Sequence, residues 1–109
     1  MTGEVGDRRE DRCVYVKIFR SSNQILVAAC DREVLGMTFR SGRLRLDVKE
    51  SFYKGSLESL TYALEILSTA DVANLTGERI VNAAIEKGCA DSKAIIRIEG
   101  TPHLQIVRL

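Results

Sequence analysis

His103 is the only histidine in the chain, and it directly follows Pro102. A lone imidazole suits a general base or the partner of a nucleophile. Cys30, next to Asp31, would complete a minimal thiol–imidazole pair, and Glu78 is the carboxylate that could take the thiol's place. Either pair works only where the side chains meet in a concave pocket. The competing reading is a hydrogen-bonded structural histidine and a buried thiol, the commoner state of a free cysteine. One histidine cannot build a His-rich metal site. The candidate catalytic set is therefore His103, Cys30 and Glu78, with no metal ligand and no cofactor.

Two further features could hold an anion. Between Arg40 and Lys54 stand five basic residues, Arg40, Arg43, Arg45, Lys49 and Lys54, against two acids, with Phe52 and Tyr53 beside them. Cations interleaved with aromatics can track a phosphate backbone and stack on bases. The plainer reading is the solvated face of a strand, with the aromatics in the core. Thr76–Gly77–Glu78–Arg79 reads as a helix start whose free backbone N–H groups, with Arg79, could bind a phosphate. Glu78 would oppose such an anion, and acid in a first turn simply suits the helix dipole. The candidate binding residues are Arg43, Arg45, Lys49, Phe52, Tyr53, Lys54 and Arg79. Asn74 reads as a capping or loop-bonding polar group at a helix junction. Nothing matches the glycine spacing of a phosphate loop or a dinucleotide fingerprint.

These residues must be positioned by one small fold. The chain has 109 residues, 45% hydrophobic and 28% charged, the size and mixture of a single globular domain. Net charge is +1 from 16 basic and 15 acidic residues, which argues against a dedicated nucleic-acid or membrane binder but leaves room for a local basic face. Three cysteines without a Cys-x-x-Cys pair point to a reducing, cytosolic setting. The longest apolar run, Ile25 to Cys30, is far short of the roughly 20 residues a membrane helix needs. Residues 1–12 carry four acids and three arginines and read as a disordered charged tail; residues 13–109 form the domain.

Along that domain, 13–20 alternates as a strand, with Val14, Val16 and Ile18 on one face and Tyr15, Lys17 and Phe19 on the other. A turn at 21–23, with Asn23 in a left-handed conformation, leads to 24–30, a strand buried on both faces. Asp31 caps one helical turn ending at Gly36. Ser41–Gly42 joins strands 37–40 and 43–49, with Leu44, Leu46 and Val48 facing the core. A loop covers 50–55. Ser56 caps a helix to about Ala70 that buries Leu64, Asp71 opens a helical turn through Leu75, and Thr76 caps a helix over 77–87 stopped by Gly88. Asp91 caps a short turn, and 95–99 and 104–108 flank a hairpin tip at 100–103 that holds His103. Strands, helices, then strands make an α+β domain: a mainly antiparallel sheet of five or six strands with two longer helices on one face.

The segments Ala28–Asp31, Leu35–Phe39, Ser51–Gly55, Ala73–Arg79 and Pro102–His103 together resemble the archaeal "domain of unknown function 424" proteins, from Tyr15 to Leu109. The resemblance implies a small archaeal cytoplasmic protein and carries over no activity, cofactor or catalytic residue. The residues favour a non-enzymatic binding module in a cytoplasmic assembly, with RNA or a ribonucleoprotein as its partner. The alternatives are a small enzyme using His103 with Cys30 or Glu78, and a homo-oligomer joined through a strand edge such as Leu104–Leu109.

Overall fold

A computed structural model describes residues 11–108. Most of the charged tail expected over 1–12 lies outside the described residues, and Arg12 already belongs to the first strand. That strand, β1 (Arg12–Arg20), pairs antiparallel with β2 (Ile25–Asp31). Their alternation feeds two separate cores. Val14, Val16, Val27 and Ala29 point to one face; Ala28 and Cys30, with Tyr15 and Phe19 packed near them, point to the other. This is why 25–30 has no polar position. Ile18 lies two residues before the end of β1 and is 38% exposed. Ser21 N–H bonds to Gln24 O across the turn, and Asn23 does not adopt a left-handed conformation.

The sequence pattern predicts a helical turn at 71–75. The structure instead has a central strand there, β6 (Val72–Thr76), running parallel to β2. Asp71 ties the two together: Ile25 N–H donates to its carboxylate at 2.7 Å, and its own N–H donates to Ile25 O at 2.8 Å. β8 (Thr101–Val107) pairs antiparallel with β6, and β7 (Ile96–Ile98) with the start of β8. β5 (Ser56–Ser59) closes the opposite edge. The order is β5-β1-β2-β6-β8-β7, so a single parallel pairing interrupts an otherwise antiparallel sheet.

On one face lie α2 (Leu60–Leu67) and α3 (Glu78–Glu86). α2 starts later than expected because Ser56–Ser59 is claimed by the edge of the sheet. Ser59, not Ser56, is the cap, accepting from Tyr62 N–H. Ala63 and Leu67 are its buried residues, while Leu64 is only half-buried. α3 buries Ile80, Val81 and Ala84 as its apolar period requires. Arg108 closes the end of α2, its Nη1 donating to Leu67 O and Ala70 O at 3.0 and 2.6 Å.

The other face is covered over part of its area. A 3-10 turn (Arg32–Val34), a separate hairpin of β3 (Thr38–Ser41) and β4 (Leu44–Asp47), and a short helix α1 (Glu50–Tyr53) bring Phe39, Val48 and Tyr53 onto it. Three expectations are corrected here. The hairpin turns at Gly42–Arg43, one residue later; Leu44 is 51% exposed at its tip; and 50–53 is helical. At the C-terminal hairpin the turn is Glu99–Gly100, both with positive φ (52° and 80°), as a two-residue type I′ connection requires. His103 therefore sits inside β8. From Leu104 onward β8 runs past the end of β7, so its outer side is an edge only there.

Candidate functional site

Strand register carries one row of side chains across the middle of the partly covered face. Cys30 on β2 is opposite Thr76 on β6, and Thr76 is opposite His103 on β8. Tyr53 reaches this row from α1. Its hydroxyl lies 3.1 Å from Thr76 Oγ1, which lies 2.9 Å from His103 Nδ1. Tyr53 and Thr76 are 3% and 0% exposed, so each O–H needs an acceptor. Only one direction satisfies both: Tyr53 donates to Thr76, and Thr76 donates to His103 Nδ1. This assigns His103 as the neutral Nε2–H tautomer. Burial lowers its pKa, in keeping with a neutral ring, and burial raises that of Tyr53. Thr76 thus ends β6 and caps no helix.

The three catalytic candidates do not assemble. Cys30 and His103 occupy one row but lie on either side of β6, roughly 10 Å apart at ordinary strand spacing. Cys30 is fully buried, and its pKa is pushed up to about 12 by burial and then by the charges of Asp31 and Glu33. It is a thiol, not a thiolate, at neutral pH. Glu78 is exposed and pairs with Arg97 Nη1 at 3.0 Å.

The helix start at Thr76–Arg79 holds an anion of the protein's own. Asp31, expected to cap the turn after it, makes no such bond. Its carboxylate crosses to α3, where Arg79 N–H donates to Oδ2 at 2.8 Å and Ile80 N–H donates to Oδ1 at 3.0 Å. The group is 2% exposed. Desolvation raises its pKa, and the two backbone donors work against that rise. The Arg79 guanidinium pairs with Glu33 at 3.1 Å. The N–H groups that would have held a phosphate are thereby filled.

The basic segment divides. Arg43, Lys49 and Lys54 are exposed and make no ion pair among the described residues, whereas Arg45 Nε is bound to Asp47 Oδ1 at 3.0 Å. Thr38 and Arg45 bond to Asp47 and hold its carboxyl below the usual range. A groove of about 370 Å³ runs between the hairpin and α1, lined by Met37, Thr38, Arg45, Asp47, Lys49 and Glu50. Its charges balance, Arg45 and Lys49 against Asp47 and Glu50. Tyr53 is interior, as described. Phe52 is half-buried and stacks on Phe19 with ring centroids 5.3 Å apart, and Lys17 Nζ lies 5.2 Å from the centroid of the Phe19 ring. Lys17 also donates to Ser51 O at 2.8 Å. Phe19 and Lys17 thus join the aromatic–basic cluster. Their alternation with Val16 and Ile18 was visible in sequence, but their proximity to Phe52 depends on where α1 docks.

Asn74 also departs from expectation. It sits in the middle of β6 on the same face, opposite Gln105 of β8, and neither carboxamide has a hydrogen-bond partner among the described residues. No group of three or more His, Cys, Asp or Glu among those residues is placed to hold a metal ion. None of the described helices is long and apolar enough to cross a membrane.

Together these features define an α+β domain built on a two-sided, mostly antiparallel sheet, helices on one face and an incomplete cover on the other. The chain belongs to the family described as "Protein of unknown function (DUF424)", matched over residues 19–109. Its fold is that of the crystal structure of an uncharacterized conserved protein from Methanopyrus kandleri. The TM-score is 0.72 at 23% identity, over 88% of this chain and 93% of that one. No curated protein matches it.

Proposed function

We propose that this chain is a non-enzymatic binding module of a cytoplasmic assembly, and that its partner is RNA. The observation that carries the reading is the exposed pair Lys49 and Lys54 at the two ends of α1, which carries Phe52 of the stacked Lys17–Phe19–Phe52 column, together with exposed Arg43 at the hairpin tip, none of the three in an ion pair among the described residues. Unpaired surface cations release counterions when they meet phosphate, and a half-buried aromatic pair offers a stacking edge at little entropic cost. The groups with reactive chemistry support the same reading. Cys30 is protonated and buried, Asp31 is bound by α3, and the Thr76 hydroxyl beside His103 has no exposed surface for a substrate to reach.

Fluorescence anisotropy of a labelled single-stranded RNA, titrated with the full chain across a salt series, tests this. Binding should weaken steeply with salt. Replacing Arg43, Lys49 and Lys54 together by Ala should lower the log–log slope by roughly 2, at about 0.7 per single-strand phosphate contact. Absence of binding by the unaltered chain at low salt would sink the reading. An unchanged slope in the triple variant would move the contact surface elsewhere.

A further inference from the structure

We propose that the uncovered part of the sheet reads an unpaired RNA base through Asn74, Gln105 and His103; the inference rests on the RNA-binding reading and adds to it the site of base recognition. Register sets these groups out as a patch. One row across the sheet runs Lys17, Ala28, Asn74, Gln105, from β1 through β2 and β6 to β8; Ala28 is buried under the cover, and the row opens at half-buried Asn74 and exposed Gln105. The next row toward the Ser21–Gln24 turn runs Phe19, Leu26, Val72, Val107. All eight point away from the helices, because the residues between them (Val16, Ile18, Val27, Ala73, Leu104, Ile106) alternate to the helical side, five of them in its core. His103, two residues before Gln105, borders the patch on the covered side.

The polar groups are the unusual part. Asn is a poor strand former, and a carboxamide on a central strand ordinarily finds a partner. Asn74 is half-buried on a strand with neighbours on both sides, and it has no partner among the described residues; Gln105 beside it is exposed and likewise has none. His103 adds a third free group. Its Nδ1 is taken by Thr76, which leaves Nε2–H as a donor with no partner among the described residues. Thr76 and Tyr53 fix the ring, so that donor is held in place before any ligand arrives. Local rules broken at one spot without an internal gain mark a place where an external group completes the bonding.

The occupant follows from the chemistry. Two carboxamides and one N–H on one face of the sheet offer paired donors and acceptors, the complement of a base edge; Asn and Gln pair bidentately with adenine in this way. The neighbouring apolar row offers contact for a ring, and Phe19 and Phe52 offer stacking for the next base. Lys17 lies at the far end of the same row, its ammonium held over Phe19 and bonded to Ser51 O, where it adds a positive charge beside the stacking rings. A duplex cannot present an unpaired edge to a flat sheet, so the ligand is single-stranded.

The test uses the full chain and four RNA homopolymers of equal length. Affinities should differ between bases by about tenfold or more. Asn74→Ala with Gln105→Ala should bring them within about twofold while leaving the salt slope unchanged. The chain has three Asn and two Gln, so their side-chain NH₂ signals are few enough to assign by NMR. Those of Asn74 and Gln105 should shift when the preferred homopolymer is added, in the unaltered protein and with no risk from misfolding. If RNA binds with steep salt dependence but those signals stay still and the double variant keeps its preference, base reading on this face is overturned while the RNA reading stands. If no homopolymer binds, both fall.

Discussion

The Asp31 carboxylate occupies the space where Gly77 would carry a side chain. A Cβ on Gly77 would lie 2.6 Å from Asp31 Oδ2, and Gly77 holds φ +118°, which L side chains rarely adopt. The end of β2 and the start of α3 are in effect one joint, in which the strand supplies the helix cap.

Two substitutions test that joint. Gly77→Ala meets both the strained φ and the carboxylate and should destabilise the fold by about 2–5 kcal/mol. Asp31→Ala leaves the N–H groups of Arg79 and Ile80 without an acceptor and should cost about 2–4 kcal/mol. Urea unfolding followed by circular dichroism measures both. If Asp31→Ala shifts the midpoint by less than the equivalent of about 0.5 kcal/mol, the buried carboxylate is not the cap it looks to be.

The Tyr53–Thr76–His103 chain predicts an asymmetry. Tyr53→Phe removes a donor, yet Thr76 still donates to His103, so the loss should be about 1 kcal/mol. Thr76→Val strands the buried Tyr53 hydroxyl and the Nδ1 lone pair together and should cost about 2–4 kcal/mol. Equal costs in the two variants would mean that the bonds run in the opposite direction, with His103 as donor.

Much of this architecture can be read from residues alone, and the failures share one cause. The run Ile25–Cys30 has apolar side chains at every position and could only be an interior strand. Ile80, Val81 and Ala84 keep a helical period and could only be a buried stripe. β6 was hidden because Val72–Thr76 is five residues long, holds an Asn, and is bounded by Asp71 and Gly77, which also suit a helix's ends. Its strand character comes from β2 and β8 on either side, not from its own sequence. Asp31 misleads in the same way: Asp before a turn is a good local cap, and nothing nearby shows that α3, 48 residues away, competes for it. The row from Lys17 to Gln105 was invisible for that reason too, since it spans four strands whose order no local pattern fixes.

His103 should make stability depend on pH. Burial lowers its folded pKa below the ordinary 6.5, so the unfolded chain takes up the proton more readily. The contribution is fully present above pH 6.5 and is lost as pH falls from there through the folded pKa. Asp31 acts in the opposite sense: its folded pKa is raised above 3.8, so its contribution to stability declines as pH rises through the window above that value. A variant isolates the first term. In urea midpoints measured from pH 8 to pH 5, the unaltered chain should lose more stability below pH 6.5 than His103→Gln does. Parallel curves would show that His103 is as solvated in the fold as in the unfolded chain.

The three thiols should separate by accessibility rather than by sequence position. Cys89 is half-buried just past α3, where its N–H bonds to Ala84 O; Cys13 is 7% exposed; Cys30 is fully covered and held protonated by a pKa of about 12. The thiolate is the species that reacts with an alkylating agent or a disulfide reagent. At pH 8 the native protein should therefore react first at Cys89 and last at Cys30, whose modification must wait for the sheet to open. Mass-spectrometric mapping of alkylated peptides over time gives the order. The Cys30 rate should rise with dilute urea in step with global unfolding, while the Cys89 rate should barely change. Fast labelling of Cys30 in the folded protein would mean that the cover formed by α1 and the β3–β4 hairpin lifts away on its own, and the Thr76 hydroxyl beside His103 would then be open to a substrate. That outcome would reopen the enzymatic reading at this row.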